Sequence, residues 1–216
     1  MDNSFLNGLP AKLDLLILKD QLNTFKNPNK KIFDLVQKKY LFSISRGVYL
    51  NLRSDSLKNL SIESIANSFL IPSYISAEWA LQFYGLLTDR ATVVTSVTFG
   101  QEKQYATPIG LFKYERIKKS RYPVGYVSLI INNNIILIAT PVKALVDYIS
   151  LRFNLIKKIS DINLFITDDL RLHLHDMIEL CHVDEIVEIQ KNYHRNSNEF
   201  RILAWLKIKK QEGKNE

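Results

Sequence analysis

Within Asn27–Leu52, NPNKKIFDLVQKKYLFSISRGVYLNL, the apolar positions change from a helical repeat to strict alternation. Ile32, Leu35, Val36 and Tyr40 follow helical spacing and define an inward face. Asn27 can cap the first turn through its side-chain oxygen, and Pro28 suits the first helical position, where a missing N–H costs nothing. Lys30, Lys31, Asp34, Gln37 and Lys38 fall on the opposite side, so the outward face is cationic and rich in hydrogen-bonding groups. From Leu41 the period is two: Phe42 and Ile44 on one side, Ser43 and Ser45 on the other, then Val48, Leu50 and Leu52 beyond Arg46-Gly47. The pattern predicts a hairpin with Arg46 at its tip and Gly47 supplying backbone freedom at the turn. A basic helix feeding such a ribbon is the order of a winged helix-turn-helix, in which the helix enters the major groove and the ribbon reaches a phosphate or the minor groove.

Upstream, Leu13–Phe25 carries Leu15, Leu18, Leu22 and Phe25 as a helical stripe, which would supply the earlier helices of a three-helix unit, with residues 26–29 as its turn. Ser61 is placed to cap a helix built on Ile62, Ile65, Ala66 and Phe69 that links two domains. Pro72–Ser76 leads into another helix, with Ser76 as its cap, Ala77, Ala80, Leu81 and Tyr84 on one face, and Gly85 as its stop. The aromatic and aliphatic positions Tyr74, Trp79, Leu81 and Phe83 read as packing residues. Strands are then predicted at Thr92–Phe99 and Gly110–Ile117, and a hairpin from Val127–Ile131 and Ile135–Ala139 across three asparagines. Thr140-Pro141 opens a helix in which Val142, Leu145, Val146, Ile149 and Phe153 share a face. Lys143 and Asp147, one turn apart on it, read as a solvated pair of little energetic weight. Beyond Ile159 the pattern is mainly helical and ends in a lysine-rich tail.

Composition sharpens this picture through charge. The 216 residues carry a formal charge of +7, unevenly placed. Lys and Arg outnumber Asp and Glu 10 to 5 in residues 1–60, 9 to 6 in 61–156, and stand at 10 to 11 in the remainder. The basic excess therefore coincides with the helix-hairpin pattern, where it would concentrate polyanions. An apolar content of 46% with 24% charged residues describes a globular protein with a real core. No stretch is long and apolar enough for a membrane span, and Met1–Pro10 does not resemble a secretory signal. Cys181 is the single cysteine, which excludes an intramolecular disulfide and fits a cytoplasmic protein.

Several phrases, in order, resemble the AbiEi-type antitoxins of bacterial abortive-infection and toxin-antitoxin operons: SISRGVYLNL (Ser43–Leu52), PSYISAEWALQFYGL (Pro72–Leu86), TSVTF (Thr95–Phe99), TPIGLFKYERI (Thr107–Ile117) and ATPVKALVDYI (Ala139–Ile149). Val142 stands where that family commonly has an acidic residue, and Trp79 where it often has a small polar one. The resemblance implies an α+β protein: an N-terminal winged helix-turn-helix, residues 1–56, followed by a mixed α/β antitoxin domain with a helical C-terminal part, residues 57–216. It further implies a non-enzymatic antitoxin that binds operator DNA, represses its own promoter and counteracts a nucleotidyltransferase-like toxin in phage defence. On the residues themselves, Lys30, Lys31, Lys38, Lys39 and Arg46 are the candidates for phosphate or groove contacts, and Asn29 and Gln37 for reading bases.

No catalytic or cofactor motif emerges. His173, His175, Cys181 and His182 lack the paired spacing of a zinc site, and the seven glycines form no phosphate-cradling loop. Asp168-Asp169 reads as a carboxylate pair at a helix start, where the dipole favours it. The Gly-Ser followed by paired aspartates that a nucleotidyltransferase needs is missing, so beside that resemblance the chain looks like the antidote side of such a pair. Two other readings fit the same residues: a protein-interaction module whose helix-hairpin contacts a partner, and a stand-alone transcriptional regulator without a toxin.

Overall fold

The computed structural model describes residues 3–152 and 162–212, without the side chains of Ser45 and Lys58. Phe153, the start of the predicted C-terminal helical region and the last four residues of the lysine-rich tail lie outside the described residues. The fold is a mixed α/β arrangement with two sheets.

A 3-10 turn at Ser4–Leu6 precedes strand β1 (Lys12–Asp14), helix α1 (Leu15–Gln21), helix α2 (Pro28–Gln37), and strands β2 (Leu41–Ser45) and β3 (Val48–Asn51). The strands form an antiparallel sheet in the order β1-β3-β2. This corrects the expectation of a three-helix unit. Leu13 belongs to a strand because Lys12–Asp14 pairs with Val48–Leu50, and the segment ahead of it makes only one 3-10 turn.

The N-terminal sheet has two apolar faces, and the alternation read from the sequence explains both. Leu13, Leu41 and Tyr49 close a small core with Leu6, Leu18, Leu22, Ile32 and Leu35. Phe42, Ile44, Val48 and Leu50 point the other way and belong to the core of the larger unit. Beyond Ser43 the register shifts at a bulge, so that Ser45 pairs with Val48. The hairpin is therefore packed on one side by the N-terminal helices and on the other by the rest of the protein; at its turn the Gly47 carbonyl accepts the Leu15 N–H at 2.7 Å, and the Arg46 side chain is exposed.

The larger unit begins after a 3-10 turn at Asp55–Asn59 with α3 (Ile62–Phe69), β4 (Tyr74–Ile75), α4 (Ala77–Phe83), β5 (Val93–Thr98), β6 (Lys103–Thr107) and β7 (Gly110–Arg116). A further 3-10 turn at Lys119–Arg121 precedes β8 (Tyr126–Ile131), β9 (Asn134–Ala139) and α5 (Pro141–Arg152). The six strands form one mixed sheet ordered β6-β7-β5-β4-β9-β8. The predicted β8–β9 hairpin is present: Ile131 pairs with Asn134, and Asn132 and Asn133 both take the left-handed conformation that asparagine tolerates in a two-residue turn. After α5 come a short helix α6 (Ile162–Leu164), a π-type turn at Phe165–Asp169, α7 (Leu174–Leu180), α8 (Val183–Gln190) and α9 (Asn198–Glu212). Asp168-Asp169 thus lies at the end of a π turn instead of at a helix start.

Helix α5 is buried on all sides. Val142, Ala144, Leu145, Val146 and Ile149 are core residues, and so are Lys143 and Asp147. The expected solvated pair is a buried one, because α4, α8 and α9 cover the face that a surface helix would leave to water. Ser76 occupies the N-cap position of α4, yet its hydroxyl donates to Asp147 at 2.7 Å instead of capping the helix. Among the expected packing residues, Tyr74 and Leu81 are fully buried. Trp79 is half-buried with its indole N–H on Glu63, and Phe83 is exposed at the rim.

Candidate nucleic-acid interface

Helix α2 starts as its sequence requires. The Asn27 side chain accepts the Lys30 amide at 3.0 Å, with Pro28 at the first helical position. Ile32 and Leu35 anchor the inner face. At the C-terminus the Lys39 N–H donates to the Val36 carbonyl and the Tyr40 N–H to that of Leu35, with Lys39 at a φ of 57°. This is a Schellman closure, with lysine at the position that usually carries glycine.

The turn before α2 and one flank of the helix enclose an open groove of about 730 Å³, lined by Phe25, Lys26, Asn27, Lys30, Lys31, Asp34 and Lys38. Four ammonium groups face one carboxylate there. Lys31 is fixed, its Nζ donating to Asn3 Oδ1 at 2.9 Å and lying 5.2 Å from the Phe25 ring centre. Lys26, Lys30 and Lys38 are exposed and form no ion pair among the described residues. Unpaired cations just before, within and at the C-terminal end of one short helix create a positive potential suited to successive phosphates.

Of the residues singled out from the sequence, Lys30, Lys31 and Lys38 line this groove. Asn29, Gln37 and Lys39 are exposed on or just beyond α2, and Arg46 is exposed at the hairpin turn, but none of these four lines it. Two residues escaped sequence reasoning. Lys26 stands just before the capping asparagine and looked like part of a turn, although its charge abutting the helix was a usable signal. Phe33 is 61% exposed on α2, three residues after Lys30 and four before Gln37. It was assigned to neither face, although the helical repeat already puts it outside.

Polar clusters are also built into the larger unit. Asp147 receives the Lys143 ammonium, the Ser76 hydroxyl and the Tyr74 hydroxyl, the last two at 2.7 and 3.2 Å. Burial, followed by the Asp147 charge, raises the Tyr74 pKa well above its usual value. Nearby, Arg152 clamps Glu78 and Glu115, joining α4, α5 and β7, and Lys113 adds a second cation to Glu115 at 2.7 Å. Burial alone would raise Glu115; the hydrogen bonds from Arg152 and Lys113 outweigh it and lower its pKa.

The histidines sit apart. His173 precedes α7 and faces Asp176, His175 faces Glu179 along α7, and Cys181 is buried with its pKa raised, chiefly by that burial. Among the described residues no three His, Cys, Asp or Glu side chains gather as a metal site would require, and no helix is long and apolar enough to cross a membrane.

No protein-family model matches the chain, and a search of curated proteins returns no match.

Proposed function

We propose that this chain is an antitoxin-type transcriptional autorepressor: its N-terminal unit binds operator duplex as a winged helix-turn-helix, and its larger unit counteracts a nucleotidyltransferase-like toxin in the cytoplasm without catalysis of its own. The observation that carries the DNA-binding part is the groove along α2, where Lys26, Lys30, Lys31 and Lys38 face a single aspartate. The order β1-α1-α2-β2-β3 supports it, because α2 leads directly into a ribbon whose turn bears Arg46. In this reading α2 enters the major groove, the lysines hold flanking phosphates and Arg46 contacts the backbone beside them. The toxin-directed part rests on the ordered phrases between Pro72 and Ile149, whose helices and strands build the larger core. The test pairs a promoter-reporter assay on the upstream region with growth rescue by co-expression of the adjacent gene. Repression of the reporter together with rescue is expected; neither repression nor rescue overturns the proposal.

A second reading, contact with a protein partner, is favoured by Ile130 and Ile135. They face each other across the β8–β9 hairpin and are 75% and 67% exposed. Exposed β-branched pairs at a hairpin tip suit a protein surface. If Ile130→Lys with Ile135→Lys abolishes rescue while leaving repression intact, that hairpin meets the toxin directly; intact rescue rules the contact out.

A further inference from the structure

We infer that Phe33 is a base-reading residue that recognises a thymine methyl group, an inference that rests on the DNA-binding reading above. Phe33 lies on the solvent side of α2, with Lys30 one turn before it and Gln37 one turn after it, both exposed. Positions three, four and seven apart share a face, so Lys30, Phe33 and Gln37 form one stripe, opposite the buried Ile32 and Leu35. Asn29, four residues before Phe33, extends it.

That stripe is chemically mixed in a way that suits a major-groove floor. Gln37 and Asn29 can each offer an acceptor and a donor to adenine, and Phe33 supplies an apolar surface between them. The one apolar group exposed on that floor is the thymine 5-methyl. The cationic groove, lined by Lys26, Lys31 and Lys38 and bordered by Lys30, runs along the adjacent flank of the same helix. Phosphate contacts on that flank would set the helix depth and leave the Phe33 stripe facing base edges. Charge complementarity thus selects a duplex over an apolar protein surface as the occupant of this face.

The test uses the full chain and a duplex selected from a random pool. Each thymine of the selected site is replaced in turn by deoxyuridine, which removes only the methyl group, and affinities are measured for the wild type and Phe33→Ala. At one position deoxyuridine should weaken the wild type about fourfold, as expected for a methyl-sized burial. Phe33→Ala should weaken binding to the thymine duplex by at least as much and be indifferent to deoxyuridine there. Equal sensitivity of both proteins to every substitution overturns the inference while leaving DNA binding intact. Selection of no duplex overturns the DNA-binding reading and this inference with it. Unchanged duplex affinity of Phe33→Ala combined with lost growth rescue puts a protein against Phe33 and likewise overturns it.

Discussion

Asp147 accepts the ammonium of Lys143 from one helical turn away, and neither side chain has any exposure to solvent. Tyr74 and Ser76 donate to the same carboxylate, so the pair links α5 to β4 and to the start of α4. Removing one member should be far more damaging than removing both, since a lone buried charge has no compensation. Asp147→Leu should cost about 3–5 kcal/mol, and adding Lys143→Met should restore part of that loss. Urea denaturation of the two variants checks the order.

Gly125 roofs this pair. A Cβ there would stand 2.7 Å from Lys143 Cβ and 2.9 Å from Ile189 Cδ1, at a backbone φ of +78° that L side chains rarely adopt. Gly125→Ala should therefore destabilise the protein by roughly 2–3 kcal/mol through overpacking and strain. The denaturation midpoint should fall, with the slope unchanged.

Lys39 offers the opposite change. It holds the left-handed position of the α2 closure, while the matching position after α4 is filled by Gly85 with a φ of 71°. Lys39→Gly should stabilise the protein by about 1 kcal/mol, since glycine avoids the Cβ clash of that conformation. The same variant removes one cation near the groove, so a higher melting temperature should accompany any loss of DNA affinity.

Stability should fall at both ends of the pH scale. The Glu115 pKa is lowered in the folded state, so its contribution is present above the ordinary carboxylate range and lost as pH drops through the folded value. Glu115→Gln should flatten the acid limb of a stability profile. Tyr84 and Tyr122 are pushed up from 10.0 to about 12, chiefly by burial, so their contribution is complete below 10.0 and is lost as pH rises toward 12. Thermal unfolding across pH 10 to 12 should show that decline, reduced in Tyr84→Phe.

Local grammar was readable where a few neighbouring residues decide the outcome. Asn27-Pro28 starts α2, Gly85 ends α4, the asparagines turn β8 into β9, and Thr140-Pro141 opens α5. The misreadings came where distant packing decides. A Lys and an Asp four apart look identical on a surface helix and on one enclosed by α4, α8 and α9, so the burial of Lys143 and Asp147 left no local trace. Leu13 fits a helical stripe, but its pairing with Tyr49 makes it a strand residue. Lysines 30, 31 and 38 were readable as a surface group because helical spacing alone brings them together. Lys26 joins them only through the turn ahead of α2.

The most direct measurement is the salt dependence of duplex binding by the wild type and by a variant with Lys26, Lys30 and Lys38 changed to Gln. None of these three supports the fold through an ion pair among the described residues, so the variant should melt like the wild type. Each released phosphate contact lowers the slope of log affinity against log salt by about 0.9. The variant should therefore show a slope shallower by up to about 2.7 and weaker binding to every sequence. A folded variant with the slope and affinity of the wild type would contradict a DNA-binding role for this face.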